Sequence, residues 1–256
     1  MKNLFRRLLA SNSKDPVNPY CPAGSRTYCI GDIHGRDDLL EQVHEQILGD
    51  ASNHSGTNTI IYLGDYIDRG MHSKQVIELL LASPLPGFDS IYLRGNHEQS
   101  LLDFLMDAKV GHGWFNYGGL QTLVSYGIRY RKIPSSIKDM QALQGELKER
   151  LPYSHINFFE KTCFHHSIGN YYFVHAGVNP RFSLEQQQPE DQLWIREDFI
   201  KHTKPFEKII VYGHTITDEP DFQHNRIGLD TGAYQSGKLS CLVLENDTQR
   251  IIQTHA

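Results

Sequence analysis

The sequence lacks the features that mark membrane, secreted and nucleic-acid-binding proteins. No apolar run is long enough to cross a bilayer, and residues 1–10 lack the apolar core of a secretory signal. The four cysteines form no CxxC pair or regular framework, so we expect free thiols and a reducing cytoplasm. A formal net charge of −5 argues against a nucleic-acid partner that is bound by bulk electrostatics.

What the sequence does contain is a globular composition with many histidines. Its 256 residues are 39% hydrophobic and 21% charged, which is typical of a soluble protein with one large domain or at most two small ones. We predict a flexible leader over residues 1–26 and a single catalytic domain over residues 27–256. Histidine binds metals and transfers protons near neutral pH, so a count of fourteen favours a metal site.

The pattern of apolar residues predicts a mixed α/β fold. Strands are predicted at 27–30, 59–63 and 90–93, and each is followed by a loop and by apolar residues at helical spacing. This repeat is typical of a sheet that contains parallel strands. Residues 111–151 break the repeat and are predicted to form a mostly helical insertion. The second half is predicted to be rich in strands, at 171–174, 208–212, 226–229, 239–244 and 251–254.

Clusters of polar residues follow the ends of several predicted strands. They read GDIHG at 31–35, GDYIDRG at 64–70 and GNHE at 95–98, with HAG at 175–177 and YGH at 212–214. Open α/β folds place their sites at the carboxyl edge of the sheet, so we expect these side chains to converge there. The candidate metal ligands are Asp32, His34, Asp65, Asn96, His175 and His214.

This set of ligands predicts two divalent metal ions. Mixed carboxylate, amide and imidazole groups suit Mn²⁺, our first choice, with Fe²⁺ or Zn²⁺ as alternatives. Six side chains exceed what one catalytic metal usually takes from a protein, but they suit two metals about 3.5 Å apart that share a carboxylate. Asp65 lies in the middle of the series and is the predicted bridge.

The same clusters contain the other groups that phosphate hydrolysis requires. Two metals can lower the pKa of a water molecule and so supply a hydroxide nucleophile. Arg69 can hold phosphate oxygens, and Arg196 is a candidate second clamp, although it could equally form a surface pair with Glu197. His97 is the candidate proton donor to the leaving group, with Asp68 orienting it and keeping it protonated.

The clusters GDIHG, GDYIDRG and GNHE, followed by HAG and YGH, resemble the phosphoprotein phosphatase (PPP) family of calcineurin-like metallophosphoesterases. The segments WIRE at 194–197 and GLDTGAY at 228–234 resemble its compact bacterial and phage branch. The resemblance implies a metallophosphoesterase-type four-layer α/β/β/α sandwich with mixed β-sheets and a helical insertion. It also implies the roles already given for the six ligands and for Asp68, Arg69, His97 and Arg196.

The predicted function is a metal-dependent phosphomonoesterase that acts on a phosphoprotein or phosphopeptide, at serine/threonine or at tyrosine, without a covalent phosphoenzyme. The alternative is a hydrolase of dinucleoside polyphosphates such as diadenosine tetraphosphate. The residues Asp68-Arg69-Gly70 and Glu98 favour the protein phosphatase over this alternative. A third hypothesis is an inactive binding or scaffold module, which the complete set of ligands disfavours. Neither a nucleic acid nor a membrane is expected as a partner.

The remaining aromatic and histidine residues have simpler expected roles. Trp114 and Tyr117 are expected to pack the insertion, with an aromatic wall of a substrate groove as the alternative. Four histidines outside the clusters are expected to be surface or core residues: His112, His155, His165 and His166.

Overall fold

The computed structural model describes residues 17–82 and 85–254. Most of the predicted leader, residues 1–16, lies outside the described residues. The part from Val17 onward packs against the domain, because Cys21 is buried and its backbone N–H donates to the carbonyl of Asn246 at 2.6 Å. The first strand also begins before the predicted boundary at residue 27. The one-domain organisation over residues 27–256 stays a prediction.

The described residues form ten β-strands. They are β1 (Ser25–Ile30), β2 (Thr57–Tyr62), β3 (Phe88–Tyr92), β4 (His165–Ile168), β5 (Tyr171–Val174), β6 (Ile209–Tyr212), β7 (Asp221–Phe222), β8 (Arg226–Gly228), β9 (Ser240–Glu245) and β10 (Thr248–Gln253). All eight predicted strands are present, and their ends are shifted by up to three residues. The additional strands β4 and β7 are short and partly polar, and their sequences lack the apolar run that would have predicted them.

Ten α-helices connect and cover these strands in the described ranges. They are α1 (Asp37–Ala51), α2 (Ser73–Leu81), α3 (Asn96–Met106), α4 (Gly111–Trp114), α5 (Gly119–Ser125), α6 (Ile137–Arg150), α7 (Tyr153–Lys161), α8 (Pro189–Trp194), α9 (Glu197–Ile200) and α10 (Ala233–Ser236). Of these helices, none combines the length and the apolar character that crossing a membrane requires.

The strands form two mixed five-stranded sheets. The first has the order β10-β9-β1-β2-β3, in which β1, β2 and β3 are parallel and β9 runs antiparallel to β1. The second has the order β4-β5-β6-β8-β7, with β5, β6 and β8 parallel and an antiparallel strand at each edge. Parallel neighbours need long crossovers, and α1 and α2 supply them in the first sheet.

Successive side chains of each strand pack on opposite faces of its sheet, and this alternation gives the four layers of the fold. In β1, Tyr28 and Ile30 belong to the core beneath the helices of the first half, whereas Cys29 packs between the sheets. In β5, Phe173 packs between the sheets and Val174 faces the outer core beside α9. Successive side chains of a strand point to opposite faces, so each sheet is covered on both sides. The predicted α/β/β/α sandwich is confirmed.

The insertion is mostly helical, as predicted, and it joins the core instead of projecting from it. Trp114 is 2% exposed, and its ring packs on Phe104 of α3 with centroids 5.1 Å apart. In α6, Met140, Leu143 and Leu147 are buried in the same core. The insertion is therefore a fixed wall next to the ends of the strands.

Candidate metal centre

The loops after the parallel strands have unusual backbone conformations at the predicted site. Within residues 17–82 and 85–254, six non-glycine residues have a positive φ angle, and Asn246 alone is not a predicted site residue. The other five are His34, Asp65, Asp68, Arg69 and His214. Such conformations cost on the order of 1–3 kcal/mol each and persist only where the surroundings enforce them. Asp and His tolerate this region better than most residues.

Backbone carbonyls fix the tautomers of two candidate ligands. Nδ1 of His34 lies 2.8 Å from the carbonyl of Ile67, and Nδ1 of His175 lies 2.9 Å from the carbonyl of Leu63. A carbonyl accepts and cannot donate, so each Nδ1 carries the proton. Burial lowers the pKa of both histidines, which keeps them neutral. Each Nε2 is therefore left with a lone pair, as in metal-binding histidines.

The carboxylate of Asp65 lies between these two lone pairs. Its Oδ2 is 3.5 Å from Nε2 of His34, and its Oδ1 is 3.4 Å from Nε2 of His175. Ligand atoms of His34, Asp65 and His97 lie within 4.8 Å of one another, and so do those of Asp65, His175 and His214. Each group could hold a metal ion, and Asp65 belongs to both. This is the position expected for a carboxylate that bridges two metal ions.

Asn96 joins the second group through its side-chain oxygen. Oδ1 lies 2.9 Å from Nε2 of His175 and 2.9 Å from Nδ1 of His214. Nε2 of His175 has no proton, so neither it nor the amide oxygen of Asn96 can donate a hydrogen bond to the other. The two atoms are a pair of acceptors in contact. Burial lowers the pKa of His214 to about 2, so this side chain is also neutral.

Asp32 lies beside His214 and next to Asp230, which was not among the predicted ligands. The oxygens of Asp32 accept from the backbone N–H of His214, at 2.9 and 3.2 Å. Burial and the neighbouring Asp230 raise the pKa of Asp32 well above its usual value, and burial raises that of Asp230 to about 6. Gly213 is required here, because a Cβ atom would lie 2.0 Å from Oδ1 of Asp32.

The donor groups fit a pair of divalent cations. Nε2 of His34 is buried without a hydrogen-bond partner among the described residues, and the same is true of Oδ2 of Asp230. Buried lone pairs that face other acceptors are unfavourable unless a positive charge lies among them. All six candidate ligands are buried, and their oxygen and nitrogen atoms suit borderline divalent ions.

His97 differs from the other histidines at the site. Its Nδ1 is 2.6 Å from Oδ2 of Asp68, and its Nε2 is 3.7 Å from Oδ2 of Asp65. Burial lowers the pKa of His97, but the two carboxylates outweigh it and the net pKa is raised. A histidine that keeps its proton can donate it, so these properties favour the role of acid over that of ligand.

Two residues of the insertion hold Asp68 in place. Nε1 of Trp114 donates to Oδ2 of Asp68 at 2.6 Å, and Oγ1 of Thr122 donates to Oδ1 at 2.6 Å. The backbone N–H of Asp68 donates in turn to Oγ1 of Thr122 and to Oγ of Ser73. Trp114 therefore packs the insertion, as expected, and its ring nitrogen also reaches the carboxylate that bonds His97.

Glu98 holds the loop that contains Asp65. Its buried carboxylate accepts from the backbone N–H groups of Asp65, Tyr66 and Gly95 at 2.8–2.9 Å, and from that of Ile67 at 3.3 Å. A carboxylate with these partners is a structural clamp on the backbone. It does not face a substrate.

The two candidate phosphate clamps lie on different sides of the centre. Arg69 is half-buried, and its guanidinium lies over the ring of Tyr234, 4.9 Å from the centroid. Arg196 is exposed, and its charge contributes, after burial, to the lowered pKa of His175. Glu197 forms its ion pair with Lys201, and among the described residues no pair of Glu197 with Arg196 is present.

Asp230 and Thr122 were not predicted as site residues, and the bond from Trp114 to Asp68 was not predicted either. Asp230 follows β8 in the sequence Gly-Leu-Asp-Thr-Gly, so the rule that identified the other ligands would have found it. Trp114 and Thr122 carry no such signal, since they come from the helical insertion. Of the other histidines, His155 bonds Tyr126 in the core and His165 stacks on Tyr172, as expected for residues without a site role.

Comparison with known families and proteins agrees with this geometry. A model of the calcineurin-like phosphoesterases matches residues 25–255. Among curated proteins, the bis(5'-nucleosyl)-tetraphosphatase PrpE [asymmetrical] of Bacillus mycoides is 28% identical over 236 residues, which covers 83% of this chain and 88% of that protein. The protein of the same name from Bacillus cereus strain Q1 is 27% identical with the same coverage.

Solved structures share the fold at low identity. A chain provisionally described as a diadenosine tetraphosphatase gives a TM-score of 0.58 at 18% identity and covers 93% of this chain and 98% of its own. A mutant of a cold-active protein tyrosine phosphatase gives a TM-score of 0.57 at 17% identity, with 93% and 79% covered. These similarities support the fold and do not distinguish between substrates.

The prediction of a phosphoprotein phosphatase with a phosphoprotein or phosphopeptide substrate is wrong. The curated relatives are named as dinucleoside tetraphosphatases, which agrees with the alternative reading. The structure gives the reason for the error. The preference was based on Asp68-Arg69-Gly70 and Glu98. Asp68 and Glu98 bond His97 and the Asp65 loop, and Arg69 can hold phosphate oxygens of either kind of substrate, so these residues do not distinguish the two.

The bridging position of Asp65 leads to a prediction about metal content. After dialysis against Mn²⁺ and removal of free ions, we expect the wild-type protein to hold about two ions per chain. Asp65→Asn should hold fewer than one, because both groups lose their shared carboxylate. Metal is measured by inductively coupled plasma mass spectrometry, with the exposed Asp218→Asn as the matched control. A variant that still held two ions would exclude Asp65 as the bridge.

The contacts to Asp68 predict a role of the insertion in catalysis. Thr122→Val keeps the shape of the side chain and removes one donor to Asp68, so His97 should be less well oriented. We expect kcat for phenyl phosphate, whose phenolate leaving group needs a proton, to fall about tenfold, on the scale of a lost hydrogen bond to a charged group. Bound metal and KM should not change.

Trp114→Phe should behave in the same way, whereas Thr248→Val, at the exposed first residue of β10, should match the wild type. A loss of bound metal in parallel with the loss of kcat would show that the insertion acts on the metal centre and not through His97.

Proposed function

The chain belongs to the calcineurin-like phosphoesterase family, and we propose that it is a metal-dependent hydrolase of dinucleoside polyphosphates. The observation that supports this most is the similarity to asymmetrical bis(5'-nucleosyl)-tetraphosphatases across 83% of the chain. All six candidate ligands are present and buried, which favours an enzyme over a binding scaffold.

The proposed reaction adds one water molecule across a P–O–P bond. Asymmetrical cleavage of a four-phosphate chain divides it into one and three phosphates, so the products are a nucleoside monophosphate and a nucleoside triphosphate. The oxygen of water forms the new bond to phosphorus, and the bridging oxygen leaves with its electron pair on the triphosphate. No oxidant or reductant is required.

Two divalent cations, when bound, would polarise the phosphoryl group and lower the pKa of a water molecule. In the proposed site, Asp32 and His34 would hold one cation, and Asn96, His175 and His214 would hold the other, with Asp65 shared between the two. By holding the two cations in place, these residues would also fix the position of the phosphoryl group that the cations bind.

The other residues act on the phosphate chain and on protons. Arg69 holds phosphate oxygens with its planar fork, and Arg196 provides a second positive charge from the opposite side. His97 donates the proton on Nε2 towards the leaving oxygen. Asp68 keeps the ring oriented and its Nδ1 protonated.

We keep Mn²⁺ as the proposed metal, because the ligands lack thiolate and mix oxygen with imidazole nitrogen. The four cysteines are free thiols, and three of them are buried. This is consistent with the proposed reducing cytoplasm.

A substrate comparison tests the proposed function. We expect the Mn²⁺-loaded protein to convert diadenosine tetraphosphate into AMP and ATP in equal amounts, with a kcat/KM higher than for serine, threonine or tyrosine phosphopeptides. EDTA should abolish turnover, and Asp65→Asn serves as the control for contaminating enzymes. Products are separated by anion-exchange chromatography. A higher kcat/KM for phosphopeptides, or ADP as the product, would refute the proposal.

The proposed role of His97 predicts a dependence on the leaving group. A phenolate has a pKa of about 10 and needs a proton as it leaves, whereas a terminal phosphate has a second pKa of about 6 and needs it less. His97→Asn should therefore lower kcat for phenyl phosphate by about 10²–10⁴ and lower it less for diadenosine tetraphosphate. Bound metal, measured in parallel, should stay at the wild-type level. Equal losses for both substrates would contradict the role of His97 as the acid.

A further inference from the structure

A cavity opens beside the candidate metal centre and is not used by the proposed chemistry. It has a volume of about 380 Å³, within the usual range for small-molecule sites. We call it the outer cavity, and it is lined by Arg69, Asn116, Tyr117, Gly118, Gln121 and Tyr234. Four of these residues come from the helical insertion.

The outer cavity is connected to the centre through Tyr234. The ring of Tyr234 meets that of His34 edge to face, with centroids 5.6 Å apart, and the guanidinium of Arg69 lies over its face. The residue proposed to hold phosphate oxygens is thus also a wall of the cavity. A phosphate chain bound by Arg69 would place its next group in this space.

The part of the cavity wall at Gly118 is hydrogen-bonded to the backbone of Arg69. The backbone N–H of Arg69 donates to the carbonyl of Gly118 at 3.3 Å. Gly118 has a φ of +105°, and a Cβ atom there would lie 2.5 Å from the backbone nitrogen of Arg69. Only glycine permits this close approach, so the clamp and the cavity form one rigid unit.

The lining residues have the chemistry that recognises a nucleobase. Tyr117 is 55% exposed, so its ring is available for stacking, an interaction that any base can make. Asn116 uses its amide N–H to bond the carbonyl of His112, which leaves its side-chain oxygen as an acceptor. The amide of Gln121 has no hydrogen-bond partner among the residues that the structure describes, and it offers both a donor and an acceptor.

We propose that the outer cavity is a nucleoside subsite, in which Tyr117 stacks on the base of one nucleotide and Gln121 and Asn116 bond its polar edge. This inference rests on the proposed function, since it places one of the two nucleosides of a dinucleoside polyphosphate. It assigns the choice of substrate to residues 116–121 of the insertion and not to the metal centre.

Direct binding of two probes tests the subsite without turnover. Dissociation constants of AMP and inorganic phosphate are measured by isothermal titration calorimetry on the Mn²⁺-loaded protein. We expect AMP to bind the wild type at least about tenfold more tightly than phosphate, because stacking of one base contributes on that scale. Tyr117→Ala should remove this preference and leave phosphate binding unchanged. Tyr117→Phe keeps the ring and should retain the preference.

The control is Tyr153→Ala, which removes a tyrosine that is 81% exposed and lies outside the cavity. It should behave as the wild type. The subsite is overturned if the wild type binds AMP no better than phosphate, or if Tyr117→Ala weakens both probes equally.

These outcomes are distinct from those of the substrate comparison. If the wild type cleaves diadenosine tetraphosphate and its preference for AMP does not depend on Tyr117, the subsite fails and the proposed function stands. If it prefers phosphopeptides to diadenosine tetraphosphate, the proposed function itself fails.

Discussion

Two backbone carbonyls in the loop after β2 determine the chemistry of the centre. The carbonyls of Leu63 and Ile67 hold the Nδ1 protons of His175 and His34, so that both Nε2 lone pairs face inward. The same loop supplies the carboxylate of Asp65 between them. The orientation of the candidate ligands is therefore set by the backbone, in a conformation that includes positive φ angles at Asp65, Asp68 and Arg69.

The rest of the structure holds this loop in place. Glu98, at the start of α3, bonds its backbone N–H groups. The insertion holds its second half, where Trp114 and Thr122 bond Asp68 and Gly118 packs on Arg69. An enzyme site with strained backbone needs such support. The insertion thus contacts Asp68, which bonds His97, and also lines the outer cavity, so we expect changes in it to affect both.

Much of this arrangement could be predicted from local sequence, and the remainder depends on contacts between distant parts of the chain. Polar residues close to glycine at the ends of apolar strands indicated the candidate ligands, and Asp230 likewise lies just after β8, two residues beyond Gly228. The hydrogen bonds from Trp114 and Thr122 to Asp68 join residues that are 46 and 54 positions apart in the chain. No local sequence pattern indicates such contacts. The preference between substrates was predicted wrongly because it was based on Asp68-Arg69-Gly70 and Glu98. Asp68 and Glu98 are buried, and Arg69 can hold the phosphate oxygens of either kind of substrate.

The most direct test of the shared carboxylate is a crystal structure of the Mn²⁺-loaded protein with anomalous diffraction data. We predict two anomalous peaks that flank the carboxylate of Asp65, one beside Nε2 of His34 and one beside Nε2 of His175. A single peak, or peaks that do not contact Asp65, would contradict a centre that is built around this residue.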